Sequence, residues 1–100
     1  MTDAERPAGF ETRAIHAGQD PDPATGAVVP PIHLATTFAQ HEPGKATFEY
    51  SRSDNPTRQV LQEAVASLEG AAHGFAFASG MAAEDALLRS LRPGDHLIVP

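Results

Sequence analysis

Seven of the chain's nine prolines (Pro7, Pro21, Pro23, Pro30, Pro31, Pro43 and Pro56) fall within its first 56 residues. Proline fixes φ and removes a backbone donor, so neither a long helix nor a central strand can run through such a stretch. A compact domain seldom spends half its length on irregular chain. Residues 1–56 therefore read as an arm that packs on something else, such as a second subunit or further sequence. Within the arm, Phe10 to Ala17 predicts a short helix closed by Gly18. Asp20-Pro21-Asp22-Pro23 and Thr25-Gly26 are turn signals. Ala27-Val28-Val29 and Leu34-Ala35-Thr36-Thr37-Phe38 are short extended candidates.

Residues 57–100 are regular. Asn55 is placed as an N-cap with Pro56 at the first helical position, where a missing N–H costs nothing. Val60, Leu61, Ala64, Val65 and Leu68 then mark one helical face, and Gly70 ends the helix. Gly74 to Ala78 reads as a buried strand, and Ser79-Gly80 turns the chain into a second helix over Met81 to Leu91. Ala83, Leu87, Leu88 and Leu91 form its inward face. Glu84 and Asp85 near its start and Arg89 and Arg92 at its end complement the helix dipole. Pro93-Gly94-Asp95 stops it, and His96 to Pro100 reads as another buried strand. Helix–strand–helix–strand predicts a right-handed βαβ unit in a parallel sheet, an α/β fold class. Two strands alone do not make a stable parallel sheet covered on both faces, so the segment is expected to be the front part of a larger protein.

A formal net charge of −6 argues against nucleic acid and against anionic membrane surfaces as partners. No apolar run approaches the length of a membrane span. Met1 to Pro7 is polar and acidic, unlike a secretory leader. The absence of cysteine removes disulfides and thiolate metal sites, and a cytoplasmic setting is the expectation. His16, His33, His41, His73 and His96 show no metal-ligand spacing.

Two elements point to chemistry. A strand that turns through Ser79-Gly80-Met81 into a helix aims free N–H groups at one point, where an anion is favoured. Gly80 lets a ligand approach the backbone closely. Glycine also occurs in such turns for steric reasons alone, and the spacing fits neither a dinucleotide fingerprint nor a P-loop. A nucleophile elbow at Ser79 needs glycines where Phe77 and Met81 stand. The second element is Tyr50-Ser51-Arg52. In extended chain, residues two apart face the same way, so a phenol donor and a guanidinium converge on one ligand. Arginine grips two phosphate oxygens at once. Alone, Tyr-x-Arg reads more readily as a surface aromatic beside a surface salt bridge.

Tyr50-Ser51-Arg52-Ser53-Asp54-Asn55-Pro56-Thr57-Arg58 resembles the signature of the pyridoxal-phosphate (PLP) enzymes of cysteine and methionine transsulfuration. That family includes cystathionine γ-synthase, γ-lyase and β-lyase, methionine γ-lyase and the O-acylhomoserine sulfhydrylases. Four more segments, in order, are similar to its motifs: Thr12-Arg13-Ala14-Ile15-His16-Ala17-Gly18, Val29-Pro30-Pro31-Ile32 with Thr36-Thr37-Phe38, Phe77 to Ala83, and Pro93-Gly94-Asp95. Asp54 stands where relatives often carry glycine.

The resemblance implies the start of an aspartate-aminotransferase-like (fold type I) large domain preceded by an arm. It implies pyridoxal 5'-phosphate as cofactor. The amides of Gly80 and Met81 would bind its phosphate. Tyr50 and Arg52 would bind the phosphate of a neighbouring subunit's cofactor, so the arm reaches across a dimer interface in a homotetramer instead of folding on itself. The family's Schiff-base lysine lies beyond Pro100. Lys45, the chain's single lysine, sits in a turn and reads as a solvated loop residue. The implied reaction is γ-elimination or γ-replacement on a small amino-acid substrate. The wording around Val28 to Ile32 and Phe77 to Gly80 leans to γ-lyases over γ-synthases and sulfhydrylases. A non-catalytic phosphate-binding or assembly module built on the same turn is the alternative of another class.

Overall fold

Three helices organise the computed structural model, which describes residues 8–99. They are α1 (Phe10–His16), α2 (Pro56–Glu69) and α3 (Gly80–Leu88). The polar leader and Pro100 lie outside the described residues.

α2 is the spine, and local signals set both its ends. The Asn55 side chain accepts from the Thr57 amide at 2.9 Å, and Pro56 opens the first turn. At the other end Gly70 takes the left-handed conformation (φ 66°), and the Ala71 amide reaches back to the Ala66 carbonyl at 2.8 Å. This pattern satisfies carbonyls that a helix end otherwise leaves open.

α1 has seven residues and no side-chain cap. A helix that short is marginal in isolation, so it depends on docking. It docks on α2. The Arg13 guanidinium donates from Nη1 to the Ser67 carbonyl, placing a cation near the negative end of α2. Gly18 (φ +72°) follows, and a Cβ there would lie 2.8 Å from the Val60 carbonyl oxygen, so no larger residue fits that close approach. Residues 10–18 thus pack on α2 of their own chain.

The chain returns along another side of α2. A Cβ on Gly74 would stand 2.4 Å from the Gln62 carbonyl oxygen, and the Ala76 amide donates to Gln62 Oε1 at 3.0 Å. This return covers Ala66, the one buried hydrophobic residue among those described. Val60, Ala64 and Leu68 of the expected inward face are half-buried, whereas Leu61 and Val65 stay exposed.

The buried strands expected at 74–78 and 96–100 are corrected. Neither segment enters a ladder among the described residues, and Phe75 and Ile98 are 76% and 97% exposed. A strand exists only through hydrogen bonds to a neighbour, and these two segments do not pair with each other. The single β pairing among the described residues is an isolated antiparallel bridge between Thr37 and Tyr50. α3 also ends earlier than Leu91. Ser90 and Leu91 bond three residues back, and the Arg92 amide donates to Asp95 Oδ2 at 2.7 Å, which closes the turn early.

The result is open. The radius of gyration is 17.5 Å, against about 13 Å for a compact chain of this length. Accessible surface is 8541 Å², against about 5,400 Å² for a compact monomer of this mass. Among the described residues no helix is long and apolar enough to cross a membrane.

Candidate functional site

The bridge to Thr37 starts the site. The Phe38 amide donates to the Glu49 carbonyl at 3.0 Å, and the Ser51 amide to the Thr36 carbonyl at 2.9 Å. The chain then turns: the Tyr50 carbonyl accepts from the amides of Ser53 (2.9 Å) and Asp54 (3.0 Å). Tyr50 and Arg52 therefore meet through a turn, not along an extended segment as the spacing suggested. Arg52 Nη2 donates to Tyr50 Oη at 2.6 Å, and its Cζ lies 5.1 Å from the ring centroid. That contact combines a charge-assisted hydrogen bond with a cation–π interaction. It uses the phenol oxygen as acceptor. The phenol proton and the other guanidinium N–H groups are left to face an anion.

Three further side chains hold this turn, and spacing alone did not reveal them. Ser51 Oγ donates to the Ala35 carbonyl. Asn55 Nδ2 donates to the His33 carbonyl (3.2 Å) and to Ser51 Oγ (2.9 Å), so the cap of α2 also ties the arm to the turn. Arg58 donates to the carbonyls of Ser51 (3.3 Å), Arg52 (3.5 Å) and Ser53 (2.5 Å), and pairs with Asp54 Oδ1 at 3.3 Å. The Asp54 carboxylate also accepts from Gln59 Nε2 at 2.7 Å and from the Asn55 amide at 2.8 Å. Asp54 is thus a hub of this turn.

The second element sits at the start of α3. Ser79 is its N-cap, with extended backbone (φ −156°, ψ 158°), and Oγ accepts from the Ala82 amide at 3.2 Å. The hydroxyl is engaged in capping. The amides of Gly80 and Met81 donate to no group among the described residues. A Cβ at Gly80 would meet nothing within 4 Å, and Met81 is 73% exposed. The space in front of these two amides is open to a ligand.

Of the two pairs, Arg52 lines the cleft beside the turn, and Tyr50 does not. A cleft of about 370 Å³ is lined by Arg52, Arg58 and Gln62 on one side and Phe75 to Phe77 on the other. Gly80 and Met81 lie outside it. Lys45 pairs with Glu42 at 2.5 Å and is 74% exposed. His33 contributes backbone only: its amide donates to Thr57 Oγ1 at 2.8 Å. Each pair fits one face of a phosphate dianion, with oriented backbone amides at a helix start in one and a phenol–guanidinium pair in the other.

Residues 11–100 match the family described as Cys/Met metabolism PLP-dependent enzyme. A cystathionine β-lyase of Coxiella burnetii is 59% identical over 90% of the chain. A cystathionine γ-synthase of Mycobacterium tuberculosis is 55% identical over 92% of it. The crystal structure of cystathionine γ-lyase from Lactobacillus plantarum, complexed with L-serine, superposes over 89% of the chain with a TM-score of 0.81 at 45% identity. The chain spans about a quarter of the length of each (24%, 24% and 23%). Its fold is that of the N-terminal part of these fold type I proteins, and the α/β class rests on that likeness. Family match, sequence identity and superposition agree: the chain belongs to the Cys/Met metabolism PLP-dependent enzyme family.

Proposed function

We propose that this chain is the N-terminal part of a PLP-dependent enzyme of cysteine and methionine transsulfuration that cleaves cystathionine at its γ-carbon. With water, the products are cysteine, 2-oxobutanoate and ammonia. The observation that supports the binding role is the 2.6 Å bond from Arg52 to the Tyr50 oxygen, which holds two donor groups side by side. When bound, the cofactor supplies an electron sink for negative charge at the α- and β-carbons.

The residues of this chain do the holding. The amides of Gly80 and Met81 receive phosphate oxygens at the positive end of α3. Tyr50 and Arg52 receive the phosphate of a neighbouring subunit's cofactor. Clamping the phosphate from two sides fixes the remainder of the cofactor relative to the substrate, and orientation of this kind lowers a barrier. Residues 1–56 act as the arm to the neighbouring subunit and 57–100 as the start of the cofactor domain. A homotetramer built from two dimers and a cytoplasmic setting belong to the same proposal.

The test uses the purified protein that carries this chain, loaded with PLP and supplied with cystathionine. Cysteine and 2-oxobutanoate support the proposal. Homocysteine and pyruvate indicate cleavage on the β side, as in the named β-lyase. Cystathionine formed from an activated homoserine and cysteine indicates a synthase. A protein that binds phosphate but transforms none of these is the non-catalytic module.

A further inference from the structure

We propose that Arg58, with Asp54 as its counter-charge, is a positioning residue that sets the affinity of the Tyr50–Arg52 pair for the cofactor phosphate. The inference rests on the assignment of Tyr50 and Arg52 as phosphate donors. It concerns a side chain whose donors are directed at backbone carbonyls and a carboxylate.

The turn that carries Arg52 has four successive carbonyls, from Tyr50 to Ser53. The first is held by the amides of Ser53 and Asp54, and the other three all accept from one guanidinium, that of Arg58. A planar fork with five donors can hold several acceptors in fixed directions, which an ammonium cannot. Arg58 lies on α2, the longest of the described helices and capped at both ends, so the turn is referenced to that helix. Asp54 compensates the Arg58 charge at 3.3 Å and is itself fixed by Gln59 and the Asn55 amide. Both partners are partly buried, with side chains 30% and 36% exposed. Arg58 is thus committed to carbonyls and carboxylate, and Arg52 keeps the free cationic donors. The cleft beside the turn connects this frame to Phe75–Phe77, the segment leading to the Ser79 cap.

The experiment measures the equilibrium dissociation constant for PLP, by fluorescence titration, in the whole protein that carries this chain. Arg58→Met keeps the stem and removes the donors. It is expected to weaken PLP binding about tenfold, the equivalent of one charge-assisted hydrogen bond. Arg52→Ala is expected to weaken it more. Combined with Arg52→Ala, Arg58→Met should add less than about twofold, because it acts through Arg52. Arg58→Lys should fall between, about threefold weaker than wild type. Additive losses would overturn the inference and make Arg58 an independent ligand or a general stability element. Unchanged affinity in Arg58→Met, with Arg52→Ala impaired, would overturn the inference alone. Unchanged affinity in Arg52→Ala would overturn the phosphate-donor assignment and the inference with it. If Arg58→Met does not fold, Arg58→Lys and Asp54→Asn decide: weakened binding in both supports the inference, and wild-type affinity in either overturns it.

Discussion

Asn55 does two jobs with one side chain, and they can be separated. Its Oδ1 caps α2 through the Thr57 amide at 2.9 Å, while its Nδ2 binds the His33 carbonyl and Ser51 Oγ at 3.2 and 2.9 Å. Asn55→Ala removes all three contacts. A lost cap costs about 1 kcal/mol. The two amide bonds, one exposed and one half-buried, add about 1 kcal/mol together, at the low end for net hydrogen bonds. The sum, about 2 kcal/mol, corresponds to a roughly thirtyfold larger local opening constant. Asn55→Asp keeps an acceptor for the Thr57 amide and adds a negative charge at the positive end of α2, so the cap survives. It loses only the donors, for a roughly fivefold effect from about 1 kcal/mol. Hydrogen exchange read at the amides of Thr57 and His33 distinguishes the two. In Asn55→Ala both amides should exchange about thirtyfold faster, whereas in Asn55→Asp Thr57 should stay near wild type while His33 loosens. Equal acceleration of Thr57 in both variants would refute the cap as the major contribution. An effect under about threefold in Asn55→Ala would refute the role of Asn55 in holding arm to helix altogether.

Gly74→Ala should detach the 74–77 segment from α2, since its Cβ would lie 2.4 Å from a helical carbonyl oxygen; overpacking of this kind costs about 1–3 kcal/mol. Faster exchange of the Ala76 amide is the readout, and an unchanged rate would contradict the packing described. The Asp22 carboxyl is held below its ordinary value of 3.8, chiefly by the hydrogen bond from the Thr25 hydroxyl, with the Ala24 and Thr25 amides adding to it against some desolvation. Because the folded value is lowered, the 22–27 turn keeps this stabilisation above the ordinary value and loses it as pH falls through the lowered one. Nuclear magnetic resonance titration of the Thr25 amide should show the turn loosening on acidification in wild type and no such step in Asp22→Asn; an identical step in both would refute the assignment. Lys45→Ala should leave turnover of the whole protein within about twofold, since its ion pair with Glu42 is exposed and such pairs contribute under about 1 kcal/mol. A collapse of turnover in an enzyme assay would return Lys45 to the chemistry.

The ends of α2 were legible in Asn55, Pro56 and Gly70 because caps act within four residues of themselves, and local sequence contains the whole cause. The start of α3 was legible for the same reason, whereas Tyr50 and Arg52, expected to face one way along an extended segment, meet through a turn. The expected strands at 74–78 and 96–100 were not realised as ladders, since a strand depends on a neighbour that its own residues do not specify. What only the tertiary structure decided lies at longer range. The placement of Gly18 against Val60, the return of Gly74 along Gln62, and the convergence of three carbonyls on Arg58 depend on how the turn, arm and helix meet. Each of those contacts has a backbone carbonyl as one partner, which every residue carries alike, so local sequence gave no sign of where they would form.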